Sequence, residues 1–475
     1  MIKKELNNFI YEDEYLRYIS HLKDFTKEKF EEFDAKAEKI GLESRIKDLM
    51  DSKIVNESEN QAALHPEYRK MHLRDSDGVL PDNFMSYSKN YDYGDHEGGI
   101  DFYKKIATEL NNGDDKVNII SIGIGGSLEG PKLMFESNTY TNRYHERFDG
   151  LNFYFLTGPD ADEFNTKVSN LDPKKTFFVV FSKSFETVET LEMLKIAIKW
   201  SGDIKKFLAL TSNNEGPKKY GISNIHTFDK EIGGRYSIWL EDIELIFGGR
   251  WTTKGRMLTS GGARADYQLL SDKKYYDFVK YLSFSDIWMH NFNRKHTRII
   301  LSYIWNLRSL PDYFQQLEME SLGKPTNPSS EFKKTGQIIF GGYGPKAEHS
   351  YLQLLHQGTQ EICADIIACN NNIDDIEYIK AVTQAKLLSE GAEGLPHDEK
   401  INGNVPVNLF LIKKNKRLKE SRDFISEKTL GYLIATWEHR TFITATMLGI
   451  NPFDQFGVNA GKKFTLARKF IKDSS

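Results

Sequence analysis

Three hydroxyl side chains, Ser182, Ser184 and Thr187, fall within six residues in the stretch FSKSFETVET (181–190). They follow a compact apolar run, TFFVV (176–180), with the texture of a buried parallel strand. They lead into LEMLKIAIKW (191–200), whose apolar spacing is helical. A strand, a hydroxyl-rich turn and a helix start together make an anion cradle. Free backbone N–H groups and the positive end of the helix dipole face outward there. Neutral donors around Lys183 suit a phosphate monoester. The same residues would also serve as an ordinary Ser/Thr helix cap.

A second turn, Gly123-Ile124-Gly125-Gly126-Ser127, follows the apolar run VNIISI (117–122). It lacks the small residue a dinucleotide fingerprint needs at position 128, which is Leu. It also lacks the Lys-Ser or Lys-Thr that a P-loop places after Gly130. Its glycines permit close approach of a small phosphorylated metabolite to backbone N–H groups. A tight strand–helix turn would need the same glycines for packing alone, and the spacing does not separate the two.

The chain that must position these turns has 475 residues, 39% of them apolar, enough for a large core and two domains. A net charge of −4 with signs interspersed favours neither nucleic acid nor a membrane surface. No apolar run approaches a membrane span, and the start, MIKKELNNFIYEDEYL, lacks the apolar core of a signal peptide. A cytoplasmic protein is expected. Cys363 and Cys369 lie in EICADIIACN, read here as an apolar helical stretch holding two reduced thiols. No nearby histidine completes a metal-ligand spacing.

Residues 1 to about 85 are charged and mostly helical in periodicity. Beyond them, VNIISI, NFYFL (152–156), TFFVV and FLAL (207–210) each precede a turn, and helical patterns separate them. That alternation predicts a parallel sheet with right-handed crossovers. It fades near Gly233-Gly234-Arg235 and returns with QIIF (337–340) and VNLFLI (407–412), predicting a second α/β unit. Residues 430–470 read as two long helices broken at Gly449-Ile450-Asn451-Pro452. In open parallel sheets ligands bind beyond the carboxyl ends of the strands, so the loops after Ile122 and Val180 are where chemistry is expected.

Six blocks in order, GIGGS (123–127), SKSFETVET (182–190), GGRYSIW (233–239), QQLEMESLGK (315–324), HSYLQLLHQGT (349–359) and FDQFGVNAGK (453–462), resemble the signature segments of the phosphoglucose isomerase family. NESENQAALHPEYR (56–69) is weakly similar to a further family segment. The resemblance spans nearly the whole chain. It implies two SIS-type parallel-sheet α/β/α sandwich domains, here 91–245 and 246–430, with an N-terminal helical segment (1–90) packed on the larger domain and C-terminal helices (431–475). It also implies a homodimer that interconverts glucose 6-phosphate and fructose 6-phosphate. The reaction opens the ring and moves a proton between C2 and C1 through an enediol.

The resemblance also implies roles for individual residues. Glu320 is the base; a carboxylate near those carbons is the natural choice. Arg235, after Gly234, faces the negative charge that develops on the enediolate. His349, titrating near neutral pH, shuttles the ring-opening proton and reaches the site from the partner subunit. Lys462 stands beside it and Glu189 pairs with it. Gln316 and Gln455 line the sugar. Ser182, Ser184, Thr187, the N–H groups around Lys183, and Gly126-Ser127 hold the phosphate. His356, one turn-face along from His349, is a packing histidine. No metal or organic cofactor is called for, because every charge change has a protein group.

The chain departs from the family pattern at several points. Leu128-Glu129 replaces Asp-Leu, Glu186 and Val188 stand at threonine and glutamine positions, and Leu322 replaces an asparagine. Glu348 replaces a glutamine, Asn459-Ala460 replaces Glu-Leu, and the region 240–256, with GGRWTTKGR, is unlike the family pattern. An acid at 186 repels a phosphate unless it points away. Two further readings share parts of this pattern. A dual-specificity isomerase accepting mannose 6-phosphate uses the same enediol. A non-catalytic SIS-domain phosphosugar regulator keeps the phosphate loops but has no need of Glu320, Arg235, His349 and Lys462 together.

Overall fold

The computed structural model describes residues 9–71, 116–138, 151–240, 257–370, 374–413 and 425–467, with Phe102, Lys105, Ile106, Thr108, Glu109 and Ile243 besides. The GGRWTTKGR segment and the turn-rich stretch near residue 80 lie outside these.

The described residues begin with two strands, β1 (Ile10–Glu12) and β2 (Leu16–His21), where helix was expected. β2 alternates buried and half-buried residues along LRYISH, the period of a strand with one face on a core. Over six residues, many of them charged or polar, that alternation is easily hidden by the helical pattern downstream. The expected helices come next, at Lys27–Lys39, Leu42–Met50 and His65–Met71.

Five strands form the first sheet: β3 (Val117–Ile122), β4 (Leu151–Leu156), β5 (Thr176–Phe181), β6 (Phe207–Thr211) and β7 (Asn224–Thr227). All pair in parallel in the order β4-β3-β5-β6-β7. β3 and β5 are buried at every position, as helices on both faces require. The second sheet has the order β1-β2-β11-β10-β8-β9, with β8 at Thr297–Ser302, β9 at Ile338–Tyr343, β10 at Ile362–Asn370 and β11 at Val407–Lys413. Its four later strands are parallel, and β2 joins β11 antiparallel, so the N-terminal hairpin extends this sheet. The expected pair of parallel-sheet α/β units is present.

Two sequence expectations are corrected. EICADIIACN is the central strand β10, not a helix, and Cys363 and Cys369 are buried in it. A strand buried on both faces is a continuous apolar run, which periodicity alone cannot tell from a buried helix. Burial pushes the Cys363 thiol up to about 12. At the C-terminus, the long helix Glu427–Leu448 ends at Gly449 in the left-handed region, φ +69°, as expected. Beyond Gly449 the chain forms an irregular segment and a short helix, Asn459–Leu466, rather than a second long helix.

The Glu427–Leu448 helix crosses the core and is buried along nearly all its length. It contributes two sealed ionic clusters. In one, Arg440 binds Asp286 and Asp365, and Arg298 binds Asp286 and Glu318. In the other, Arg69 binds Asp266 through Nε at 2.8 Å and also binds Glu438. Such charges are tolerated in a core only when every partner is in place. Among the described residues no helix is long and apolar enough to cross a membrane.

Candidate active site

Glu320 lies in the last turn of the helix Leu310–Leu322. That helix is anchored two residues earlier. Buried Glu318 takes a hydrogen bond from Trp437 Nε1 at 2.7 Å and pairs with Arg298. Glu318 therefore points into the core while Glu320 points to a cleft. Gln316 Nε2 donates to Glu320 Oε1 at 3.1 Å, and Arg235 Nη1 donates to Oε2 at 3.0 Å. The Glu320 side chain remains 35% exposed, so a ligand can reach a carboxylate whose orientation is already set.

Arg235 is only 2% exposed. Its Nε donates to Ser321 Oγ at 2.8 Å, and its Nη2 donates to the carbonyls of Pro452 at 2.6 Å and Asp454 at 2.9 Å. Tyr236 shares Ser321 Oγ at 3.1 Å, and Tyr313 donates to the Arg235 carbonyl at 3.1 Å. Gly126 in the first turn packs on Gly234 so closely that a Cβ at 126 would stand 2.0 Å from the Gly234 carbonyl oxygen. Gly125 takes φ +58°, and a Cβ there would meet Gln316 Nε2 at 2.9 Å. The GIGGS turn, Arg235, Gln316 and Glu320 thus meet at one place. Beside it a cleft of about 620 Å³ is lined by Glu320, Lys324, Asn451, Asp454, Gln455 and Phe456.

The 182–187 loop follows β5 as expected. The Lys183 carbonyl accepts from Thr211 Oγ1 at 3.0 Å, Ser212 Oγ at 2.8 Å and the Ser212 N–H at 2.9 Å, and Asn213 Nδ2 donates to the Ser184 carbonyl at 2.9 Å. With its carbonyls tied down, the loop holds Phe185 at φ +53°, a conformation rare for a side chain of that bulk. Thr187 occupies the N-cap position of the helix Val188–Ser201 yet makes no capping hydrogen bond. Its Oγ1 lies 3.4 Å from Ser182 Oγ instead. Thr187 thus does not cap this helix, while Ser184 Oγ accepts from the Glu186 N–H at 3.3 Å. Burial holds the Lys183 ammonium below its ordinary pKa, opposed by Glu59 and Asp229 and reinforced by Arg235. The Glu186 side chain is exposed and makes no hydrogen bond or ion pair among the described residues.

Three expected residues are not gathered within one chain. His349 is exposed at the end of the short helix Gly344–Glu348, Glu189 is exposed in the first turn of Val188–Ser201, and Lys462 is exposed on Asn459–Leu466. None of their side chains makes a hydrogen bond or ion pair among the described residues. The preceding Glu348, a departure from the family pattern, is held by Tyr303 OH at 3.1 Å and Lys380 Nζ at 2.7 Å, which fixes the stem that carries His349. His356 is half-buried, with Nε2 2.9 Å from Gln384 Oε1, as a packing histidine would be. Ser321, Tyr236, Tyr313, Lys324 and Asp454 all brace the site and carry no sequence signal beyond lying within or beside the motif blocks.

The family model for phosphoglucose isomerase matches residues 20–474. A glucose-6-phosphate isomerase of Shewanella oneidensis is 31% identical over 479 residues, taking in 90% of this chain and 82% of that protein. A glucose-6-phosphate isomerase of a Marinomonas species is 30% identical over 466 residues, with the same two coverages. Among solved structures, a glucose-6-phosphate isomerase from Chlamydia trachomatis superposes with a TM-score of 0.77 over 98% of this chain and 90% of that one, at 22% identity. The chain therefore belongs to the phosphoglucose isomerase family.

Proposed function

We propose that this chain interconverts glucose 6-phosphate and fructose 6-phosphate through a cis-enediol, in glycolysis and gluconeogenesis, as a cytoplasmic homodimer. The observation that carries the reading is the Glu320 carboxylate, reachable from the cleft and held on one oxygen by Gln316 and on the other by Arg235. The names of the Shewanella and Marinomonas relatives support the substrate.

In this reading the Ser182–Thr187 loop and Gly126-Ser127 anchor the phosphate. The anchor uses hydroxyls and helix N-terminal N–H groups, so its strength is the same in ground and transition states. Glu320 takes the proton from one carbon and returns it to the next. The charge left on oxygen develops next to Arg235, whose guanidinium is already desolvated and hydrogen-bonded, so little reorganisation accompanies its stabilisation. Gln316 Oε1 is buried without a partner among the described residues and offers an acceptor to a sugar hydroxyl; Gln455 lines the same cleft. His349 of the partner subunit, oriented by Glu189 and assisted by Lys462, opens the ring. Exposure of all three in a single chain fits a site completed by a second copy. The domain division at residues 90, 245 and 430 belongs to the same proposal.

The test is a coupled assay of purified protein with fructose 6-phosphate. Glucose 6-phosphate is the expected product. Its absence at every enzyme concentration overturns the reading.

A further inference from the structure

Arg235 is held on the side away from Glu320 by two carbonyls of the irregular 451–455 segment, those of Pro452 and Asp454. That segment has no helix or sheet ladder of its own, so its position depends on side chains. Asp454 is 8% exposed and is tied at both carboxylate oxygens. Oδ1 accepts from Lys324 Nζ at 2.8 Å, and Oδ2 accepts from Ser58 Oγ at 2.7 Å. The Ser58 oxygen also accepts from Asn451 Nδ2 at 2.7 Å, and the same Nδ2 lies 2.8 Å from Asn56 Oδ1. Ser58 itself sits on a stiff turn. Asn56 and Gln61 bridge it through two backbone hydrogen bonds of 3.0 and 3.2 Å, and Asn60 turns the chain at φ +51°.

The hydroxyl of Ser58 is thus a relay, accepting from one residue of the segment and donating to another. It connects a turn near the N-terminus to residues 393 and 396 positions later. We infer that Ser58 and Asp454 are positioning residues for the isomerisation: their hydrogen bond fixes the 451–455 segment, and through its carbonyls the guanidinium of Arg235 against Glu320. Neither side chain touches Glu320 or Arg235 through its own polar atoms. This inference rests on the proposed isomerase reading.

Positioning predicts a defect in turnover rather than in substrate binding. The Ser58 hydrogen bonds run to Asp454, Asn451 and Asn56 rather than to the 182–187 loop, and Arg235 acts on charge that exists only as the enediolate forms. Wild type, Ser58→Ala and Ser58→Thr are compared in two measurements. One is steady-state kinetics with fructose 6-phosphate; the other is hydrogen exchange of the peptide spanning residues 451–458. In Ser58→Ala, kcat is expected to fall about tenfold with KM within about twofold, less than the roughly hundredfold that a 1 Å misplacement costs. Exchange over 451–458 rises. Threonine retains the hydroxyl and restores both.

Wild-type kcat in Ser58→Ala, or a Ser58→Thr variant as slow as Ser58→Ala, overturns the inference. If Ser58→Ala does not fold, Asp454→Asn carries the same comparison, and an unchanged kcat there overturns it equally. Wild-type protein inactive on fructose 6-phosphate sinks the isomerase reading instead, and the exchange measurement then decides the strut on its own.

Discussion

The contact between Gly126 and Gly234 is the sharpest place to perturb this site without removing a reacting group. A methyl added by Gly126→Ala would lie 2.0 Å from the Gly234 carbonyl oxygen, 2.2 Å from its carbon and 2.8 Å from the Arg235 nitrogen. All three are backbone atoms, so no side chain can swing aside. Real Cβ atoms essentially never approach closer than 3.0 Å, and the difference from 2.0 Å obliges the two turns to separate by 1.0 Å. Overpacking of this kind costs about 1–3 kcal/mol of stability. Its effect on catalysis is larger, because Gly234 precedes the arginine that faces Glu320 at 3.0 Å. A 1 Å misplacement of a catalytic group costs about 100-fold, so kcat/KM for fructose 6-phosphate is expected to fall by about that factor. Gly158, whose Cβ position meets nothing within 4 Å, supplies the control. The measurement is the coupled isomerase assay beside a thermal melt. A Gly126→Ala variant with kcat/KM near wild type would refute the claim that these two turns set the arginine.

Glu320→Gln keeps an acceptor for Arg235 but cannot take a proton; kcat is expected to fall about 10²–10⁴-fold while calorimetry finds fructose 6-phosphate binding largely retained. Weakened binding with normal turnover would contradict the base assignment. Ser184→Ala removes a phosphate donor used equally in ground and transition states, so KM rises about tenfold or more with kcat nearly unchanged, and a defect confined to kcat counts against that role. His290 is held down to about 4, mainly by burial and then by His296, against an ordinary 6.5. The native state therefore binds fewer protons than the unfolded chain between those values, and stability drains away as pH falls below 6.5. After allowance for solvent screening, wild type should lose about 1 kcal/mol more than His290→Asn between pH 7 and pH 5 in urea unfolding. Parallel pH curves for the two proteins would show that His290 is not the group responsible.

Local chemistry was readable from the chain itself. GIGGS and SKSFETVET each lie within one strand–turn–helix unit, so the residues that shape the turn are neighbours in sequence, and the apolar runs beside them announce β3 and β5. The motif blocks named Glu320, Arg235 and Gln316, and tertiary packing brought Arg235 and Gln316 each within hydrogen-bond reach of Glu320. Where periodicity is ambiguous the reading failed: β10 looked helical because both its faces are covered, and the β1–β2 hairpin was hidden among charged residues.

What the sequence alone determined was therefore the family and the parallel-sheet units, and it singled out the residues proposed to react, all of which rest on short-range pattern. What only the tertiary structure decided was the restraint on those groups. No local pattern relates Ser58 to Asp454, or Gly126 to Gly234, or Trp437 to the Glu318 carboxylate, whose inward turn leaves Glu320 facing the cleft. These are contacts between distant segments, made only when two sheets and the buried Glu427–Leu448 helix have packed, and they fix which side of a guanidinium or a carboxylate remains available for chemistry.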